Sequence, residues 1–242
     1  RDMRGSICRR MNRKGIEMRR EACVYSEVCP LAPDNCGPTC VRFAEMLNLV
    51  EMSNIPEYRW VPAQLKADVD IEQFRELKKI KDRIKDWVQE GNNLYLYSDT
   101  FGNGKTSWAV KLMLAYFNQI WRGNCFRTRG IFISVPEFFD RERLRINNED
   151  EEFKRIRNDL LKADLVIWDD VSSVKMTDYS SATFLNFIDA RVLSKKSNIF
   201  TGNLSRERLE EFLGGRLSSR ICNTSRIIQF NGEDKRGVHI DG

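Results

Sequence analysis

Phosphate chemistry is written into the run Ser98-Asp99-Thr100-Phe101-Gly102-Asn103-Gly104-Lys105-Thr106-Ser107. Its glycines let backbone N–H groups turn towards an anion. A helix opening at Lys105 adds its unsatisfied N-terminal donors, and Lys105 with Thr106 can reach terminal phosphates and a divalent cation. Gly102, Asn103, Gly104, Lys105, Thr106 and Ser107 therefore form a candidate nucleotide cradle. The complete pattern carries glycine at position 99, where this chain has Asp99, which is expected to point an acceptor towards the anion site.

A second chemistry-bearing stretch is Ala163-Asp164-Leu165-Val166-Ile167-Trp168-Asp169-Asp170, an apolar strand ending in two carboxylates. An acid delivered beside a phosphate loop can hold Mg²⁺ through Asp169 and Thr106, while Asp170 orients and polarises attacking water. Asp170 is shorter than the glutamate many ATPases use at this point, which predicts slow hydrolysis without loss of binding. Asn203, ending the run Asn198-Ile199-Phe200-Thr201-Gly202-Asn203, can hydrogen-bond that water or the terminal phosphate. ATP and Mg²⁺ are the expected cofactors.

A third set is Cys23, Cys29, Cys36 and Cys40, interspersed with Pro30, Pro33, Gly37 and Pro38. So short a segment buries little core, and four thiolates on one ion would supply the missing folding energy, as structural zinc does. The spacing lacks paired C-x₂-C knuckles, so Zn²⁺ is the leading reading, with an iron–sulfur cluster or free thiols as alternatives.

These groups need rigid carriers. Leu94–Tyr97 reads as the strand before the phosphate loop, and Trp108, Leu112, Met113, Tyr116 and Ile120 as the apolar face of the helix after it. Asp70 is expected to cap one helix running through Ile71, Leu77, Ile84 and Val88 and ended by Gly91. Gly130–Val135 is a buried strand stopped by Pro136. Residues 136–161 read as a helical pair broken at Asn147–Asp150, on which Arg141, Arg143 and Arg145 could form a phosphate track for single-stranded nucleic acid or simply face water. A helix through Leu185 and Ile188, the strand ending at Asn203, a helix capped by Ser205 and a last strand Arg226–Phe230 complete the order. Alternating strands and helices predict an α/β fold, a parallel sheet with helices on both faces and ligands beyond the carboxyl ends of the strands.

The 242 residues suffice for one sizeable core and a small satellite. A net charge of +5 is modest, but basic residues crowd the first twenty positions, either as a nucleic-acid arm or as a solvated tail. No apolar run is long enough to span a bilayer, and the start is too polar for a secretory leader. The composition points to the cytoplasm and to no membrane partner.

These motifs in this order resemble the AAA+ ATPases and, more closely, the replicative helicase loaders of the DnaC and DnaI type, many of them phage-encoded. The resemblance covers residues 54–236. It implies that Gly102, Gly104, Lys105 and Thr106 are Walker A, Asp169 and Asp170 Walker B, and Asn203 sensor 1. Arg220 would be the arginine finger, with Arg216 its rival. Arg236 would stand in for a lid arginine, since no helical lid domain is expected, and Tyr179 would match an aromatic of a DNA-facing loop. Loaders of the DnaI type carry an N-terminal zinc domain that grips the helicase. The implied organisation is a basic arm and Cys₄ domain over residues 1–50, a linker at 51–69 and the ATPase at 70–242. The implied function is an ATP switch that binds a hexameric DnaB-family helicase, self-associates through the ATP site and places the ring on single-stranded DNA. Two alternatives stand beside it: an IstB-like transposition ATPase helper, and a zinc-dependent nucleic-acid-binding regulator with a degenerate phosphate loop.

Overall fold

The computed structural model describes residues 40–59, 69–124, 126–144 and 151–232. Five strands form one parallel sheet: β1 (Asn93–Tyr97), β2 (Gly130–Ser134), β3 (Leu165–Asp169), β4 (Ser197–Gly202) and β5 (Ser225–Gln229), in the order β2-β3-β4-β1-β5. Nine helices join them among the described residues: α1 (Val41–Glu51), α2 (Ile71–Asp82), α3 (Ile84–Gln89), α4 (Lys105–Ile120), α5 (Val135–Leu144), α6 (Glu151–Lys162), α7 (Asp178–Leu193), α8 (Arg206–Leu213) and α9 (Gly215–Asn223).

Side chains alternate across the sheet, so each strand feeds two cores. Leu94, Leu96, Phe132, Ile167, Ile199 and Ile228 face α1, α2, α3 and α4. Tyr95, Ile131, Ile133, Val166, Trp168 and Phe200 face α5 to α9. The expected sheet with helices on both faces is the observed one. Because both faces are covered, the middle strands β1, β3 and β4 are buried along most of their length, the polar Asn93, Ser197, Asn198 and Thr201 included.

Three elements differ from the sequence reading. Asp70 sits at the N-cap position of α2, but its side chain does not cap the helix. Its buried carboxylate instead accepts from the backbone N–H of Asn231 (2.8 Å) and Gly232 (3.0 Å) and the Asn231 side chain (3.3 Å), binding the chain where it leaves β5. The single helix expected after Asp70 is interrupted at Arg83, where no glycine or proline stands. The cause is tertiary: Gln119 of α4 donates to the carbonyls of Lys81 and Asp82 and accepts from the N–H of Lys85, taking up groups that the interrupted ladder releases.

The third difference is α1, which the sequence reading joined to the cysteine segment. Met46, Leu49 and Val50 are buried in the same core as Leu112 and Phe117 of α4, so α1 packs as part of the body built on the sheet. The expected linker is also anchored. The carbonyl of Ser53 accepts from Phe132 N–H (2.7 Å), and Asn54, at φ 57°, donates its side-chain amide to the Phe132 carbonyl (3.0 Å). This turn occupies the outer edge of β2, which would otherwise present unpaired backbone groups.

A buried cation fixes the opposite end of the sheet from the phosphate loop. Arg191, fully buried, donates to the carbonyls of Leu160, Ala163 and Ser197 and to Asn198 Oδ1. It joins α6, α7 and β4.

Candidate functional site

The carboxyl ends of β1, β3 and β4 converge on a cavity of about 340 Å³. Gly102, Asn103, Gly104, Lys105, Thr106 and Ser107 line one side, Asp169, Asp170, Thr201, Gly202 and Asn203 the other, and Arg59 and Phe101 complete it.

The loop's conformation explains which glycines it needs. Gly102 and Gly104 have φ of 71° and 97°, the left-handed region in which a side chain is strained, whereas Asp99 is not among the positive-φ residues. An aspartate is therefore tolerated at position 99. The expectation that its carboxylate points at the anion site is overturned: Asp99 lies outside the cavity lining and pairs with Arg208 of α8 at 3.4 Å, where both side chains are more than half exposed.

Lys105 is buried and bridges the loop, donating to the Thr100 carbonyl (2.9 Å) and Asn103 Oδ1 (3.1 Å). Asn103 is itself held by Ser98 and by Thr100 Oγ1 (3.1 Å), and Thr100 Oγ1 donates to the Gly232 carbonyl (2.8 Å). The loop is thus tied through Gly232 to Asp70 and the start of α2.

Asp169 accepts from Thr201 Oγ1 at 2.6 Å and from the Thr106 side chain. Burial pushes its carboxyl above the usual range, against the opposing pull of Thr201, Thr106 and the positive charge of Arg59. The pairing of Thr106 with Asp169 is the arrangement expected of two oxygen donors sharing Mg²⁺. The chemistry of these oxygens, and the space beside Lys105, fit that ion.

Asp170 adopts φ 63°, a left-handed conformation uncommon outside glycine and tolerated by aspartate. Its N–H is held by Thr201 Oγ1 (3.0 Å), and its carboxylate accepts from Asn203 Nδ2 (3.4 Å). The Asn203 N–H in turn donates to Ser172 Oγ (2.7 Å). Thr201 consequently organises both acids. Its cue in the sequence is a hydroxyl directly after the apolar pair Ile199-Phe200 and two residues before Asn203.

Sequence reasoning missed Arg59 altogether. The residue closes a short 3₁₀ turn, Glu57–Arg59, beyond the Ser53–Asn54 anchor. It lies in the segment read as linker, beside Tyr58, which is 78% exposed with the Arg59 guanidinium 5.1 Å from its ring centre.

The remaining candidates lie elsewhere. Arg216 and Arg220 stand on α9, outside the cavity lining, and Arg220 pairs with Asp189 of α7 at 2.7 Å. Arg141 pairs with Glu152 (3.3 Å) and lies over Phe153, and Arg143 pairs with Asp140 (3.0 Å), so both cations already face carboxylates. Tyr179 is half exposed and reaches Glu142, the buried acid that also binds Arg157. Cys40 caps α1, its Sγ accepting from Phe43 N–H at 3.4 Å. Cys23, Cys29, Cys36, Arg145 and Arg236 fall outside the described residues. Among the described residues, no cluster of three or more metal-ligating side chains occurs and no helix is long and apolar enough to cross a membrane.

A Lys-Thr loop after β1, an acid pair after β3 and an amide after β4, on a sheet ordered β2-β3-β4-β1-β5, make up a P-loop fold of the AAA+ type. Residues 42–239 match the family described as IstB-like ATP binding protein, and the chain belongs to that family.

Solved structures share the fold. The DnaC helicase loader superposes with a TM-score of 0.59 at 19% identity, over 72% of this chain and 99% of its own. DnaI gives 0.61 at 16% identity, over 78% and 100%. The replication initiator DnaA bound to AMPPCP and single-stranded DNA gives 0.54 at 17%, over 69% of this chain and 47% of its own. No curated protein matches the chain.

Proposed function

We propose that the protein is an ATP-gated loader that binds a hexameric replicative helicase and assists its placement on single-stranded DNA. The observation that carries this reading is the convergence of Lys105, the Thr106–Asp169 pair and the Asn203–Asp170 pair on one cavity at the strand ends. ATP would lie with its terminal phosphates between Lys105 and the acids, and Mg²⁺ between Thr106 and Asp169. When bound, Mg²⁺ supplies charge neutralisation at the phosphates. Asp170 accepts a proton from, or orients, the attacking water, and Asn203 fixes the Asp170 carboxylate.

A trans-acting cation would come from α9, which offers Arg220 or Arg216 at the surface for a neighbouring subunit's ATP. Nucleotide state would then set how copies stack, and a lone subunit would hydrolyse slowly. The cysteine segment before α1, with Zn²⁺ held by Cys23, Cys29, Cys36 and Cys40, would grip the helicase. Tyr179 and the α5–α6 pair, with Arg141, Arg143 and Arg145, would face DNA.

Membership of the IstB-like family favours a second reading, a helper ATPase for DNA transposition. Mass photometry separates the two. The loader reading expects several copies to join a DnaB-family hexamer when ATP is present and not to join when Lys105→Ala replaces the native chain. A protein that ignores the helicase at micromolar concentration and assembles with ATP on double-stranded DNA would overturn it in favour of the helper.

A further inference from the structure

The cavity's fixed charges balance only when Arg59 is counted. Among the described residues lining it, the cations are Arg59 and Lys105 and the anions Asp169 and Asp170. With Lys105 alone the site would carry a net negative charge before a nucleotide arrived, and a magnesium-bound triphosphate is itself an anion. A second cation near the terminal phosphate would offset that repulsion.

Arg59 is mounted to serve. The turn that carries it is anchored on the β2 edge by the Ser53–Phe132 and Asn54–Phe132 hydrogen bonds, with Ile55 buried beneath. The Arg59 N–H closes on the Pro56 carbonyl at 2.8 Å, fixing the last turn. Its guanidinium donates through Nε to the Tyr58 hydroxyl (3.2 Å) and has no ion-pair partner among the described residues, while its charge is felt at Asp169. A planar fork held this way can present its terminal nitrogens to phosphate oxygens.

We infer that Arg59 binds the terminal phosphate of ATP in cis, from the N-terminal side of the site. This inference rests on the nucleotide-binding reading above and extends it. It gives the cis arginine a source other than Arg236. It also links occupancy to α1, because a phosphate that draws Arg59 inward pulls on the turn that begins where α1 ends.

Calorimetric titration of the full chain with ATP and with ADP, in Mg²⁺, tests it. Arg59→Ala is expected to weaken ATP binding about tenfold and ADP binding about twofold or less. Arg59→Lys should retain part of the preference, keeping the charge without the fork. Equal losses for both nucleotides, an unchanged ATP affinity or a tightened one would overturn the assignment. Lys105→Ala provides the separate control: loss of both nucleotides upholds the site itself, and unchanged binding would sink the site and the Arg59 role together.

Discussion

Asp169 sits where a carboxylate is unwelcome. Burial raises its pKa above the unfolded value, so its ionised form lowers the stability of the ligand-free protein. That penalty is fully present above the folded pKa and disappears as pH falls from the folded towards the unfolded pKa. Removing the charge should act likewise. Asp169→Asn is expected to raise ligand-free stability by about 1 kcal/mol, roughly 2–4 °C in a thermal melt, while abolishing Mg²⁺-dependent ATP binding by calorimetry. A melting temperature that falls would show that the Thr201 and Thr106 hydrogen bonds outweigh desolvation. At this scale the sequence was informative wherever spacing is local. Gly102, Gly104, Lys105 and Thr106 lie within one loop, and Asp169 with Asp170 closes one strand. Asp99 was misread because a motif position does not say which way a side chain leaves the backbone. Arg59 was invisible because its approach depends on Phe132, far away in the chain, receiving Ser53 and Asn54 at a sheet edge.

Among the elements, strands were the easiest to read, since continuous apolar runs between turn residues suit a sheet covered on both faces. Helix breaks were harder. The interruption at Arg83 comes from Gln119 reaching across from α4, and no periodicity in α2 or α3 announces it. Nothing in the sequence singles out Arg191 of α7 either. It is the hub of a buried polar cluster in which three carbonyls and Asn198 share one guanidinium, and Asn198 also receives the Trp168 indole N–H (3.1 Å). Arg191→Ala strands those acceptors away from water. It should destabilise the fold by at least about 3 kcal/mol, read as a lowered urea midpoint. Gly202 has a related constraint. A Cβ there would lie 2.7 Å from the Tyr95 hydroxyl and 3.1 Å from Ser172 Oγ, the same oxygen that receives the Asn203 N–H.

Whole-molecule behaviour turns on α9. Arg220 is half exposed and bound to Asp189 within its own chain, so in a single copy it serves α7 and not the cavity. If it completes a neighbour's site, Arg220→Ala should leave ATP affinity unchanged and reduce hydrolysis by the assembled protein about a thousandfold. The check is the ATPase rate measured against protein concentration. A wild-type rate per chain that does not rise with concentration would argue against any shared site. The sheet order has a consequence for biosynthesis. β1 carries the phosphate loop, yet its two neighbours are β4 and β5, the last strands in chain order among the described residues. The loop's hydroxyl Thr100 waits for the carbonyl of Gly232, and Asp70 waits for the N–H groups of Asn231 and Gly232. A ribosome releasing this chain from the N-terminal end therefore exposes the nucleotide motif long before it can close around a ligand. A product truncated before β5 would carry every motif residue of the site except the means to hold it. ATP binding is therefore expected only from a chain whose translation has passed β5.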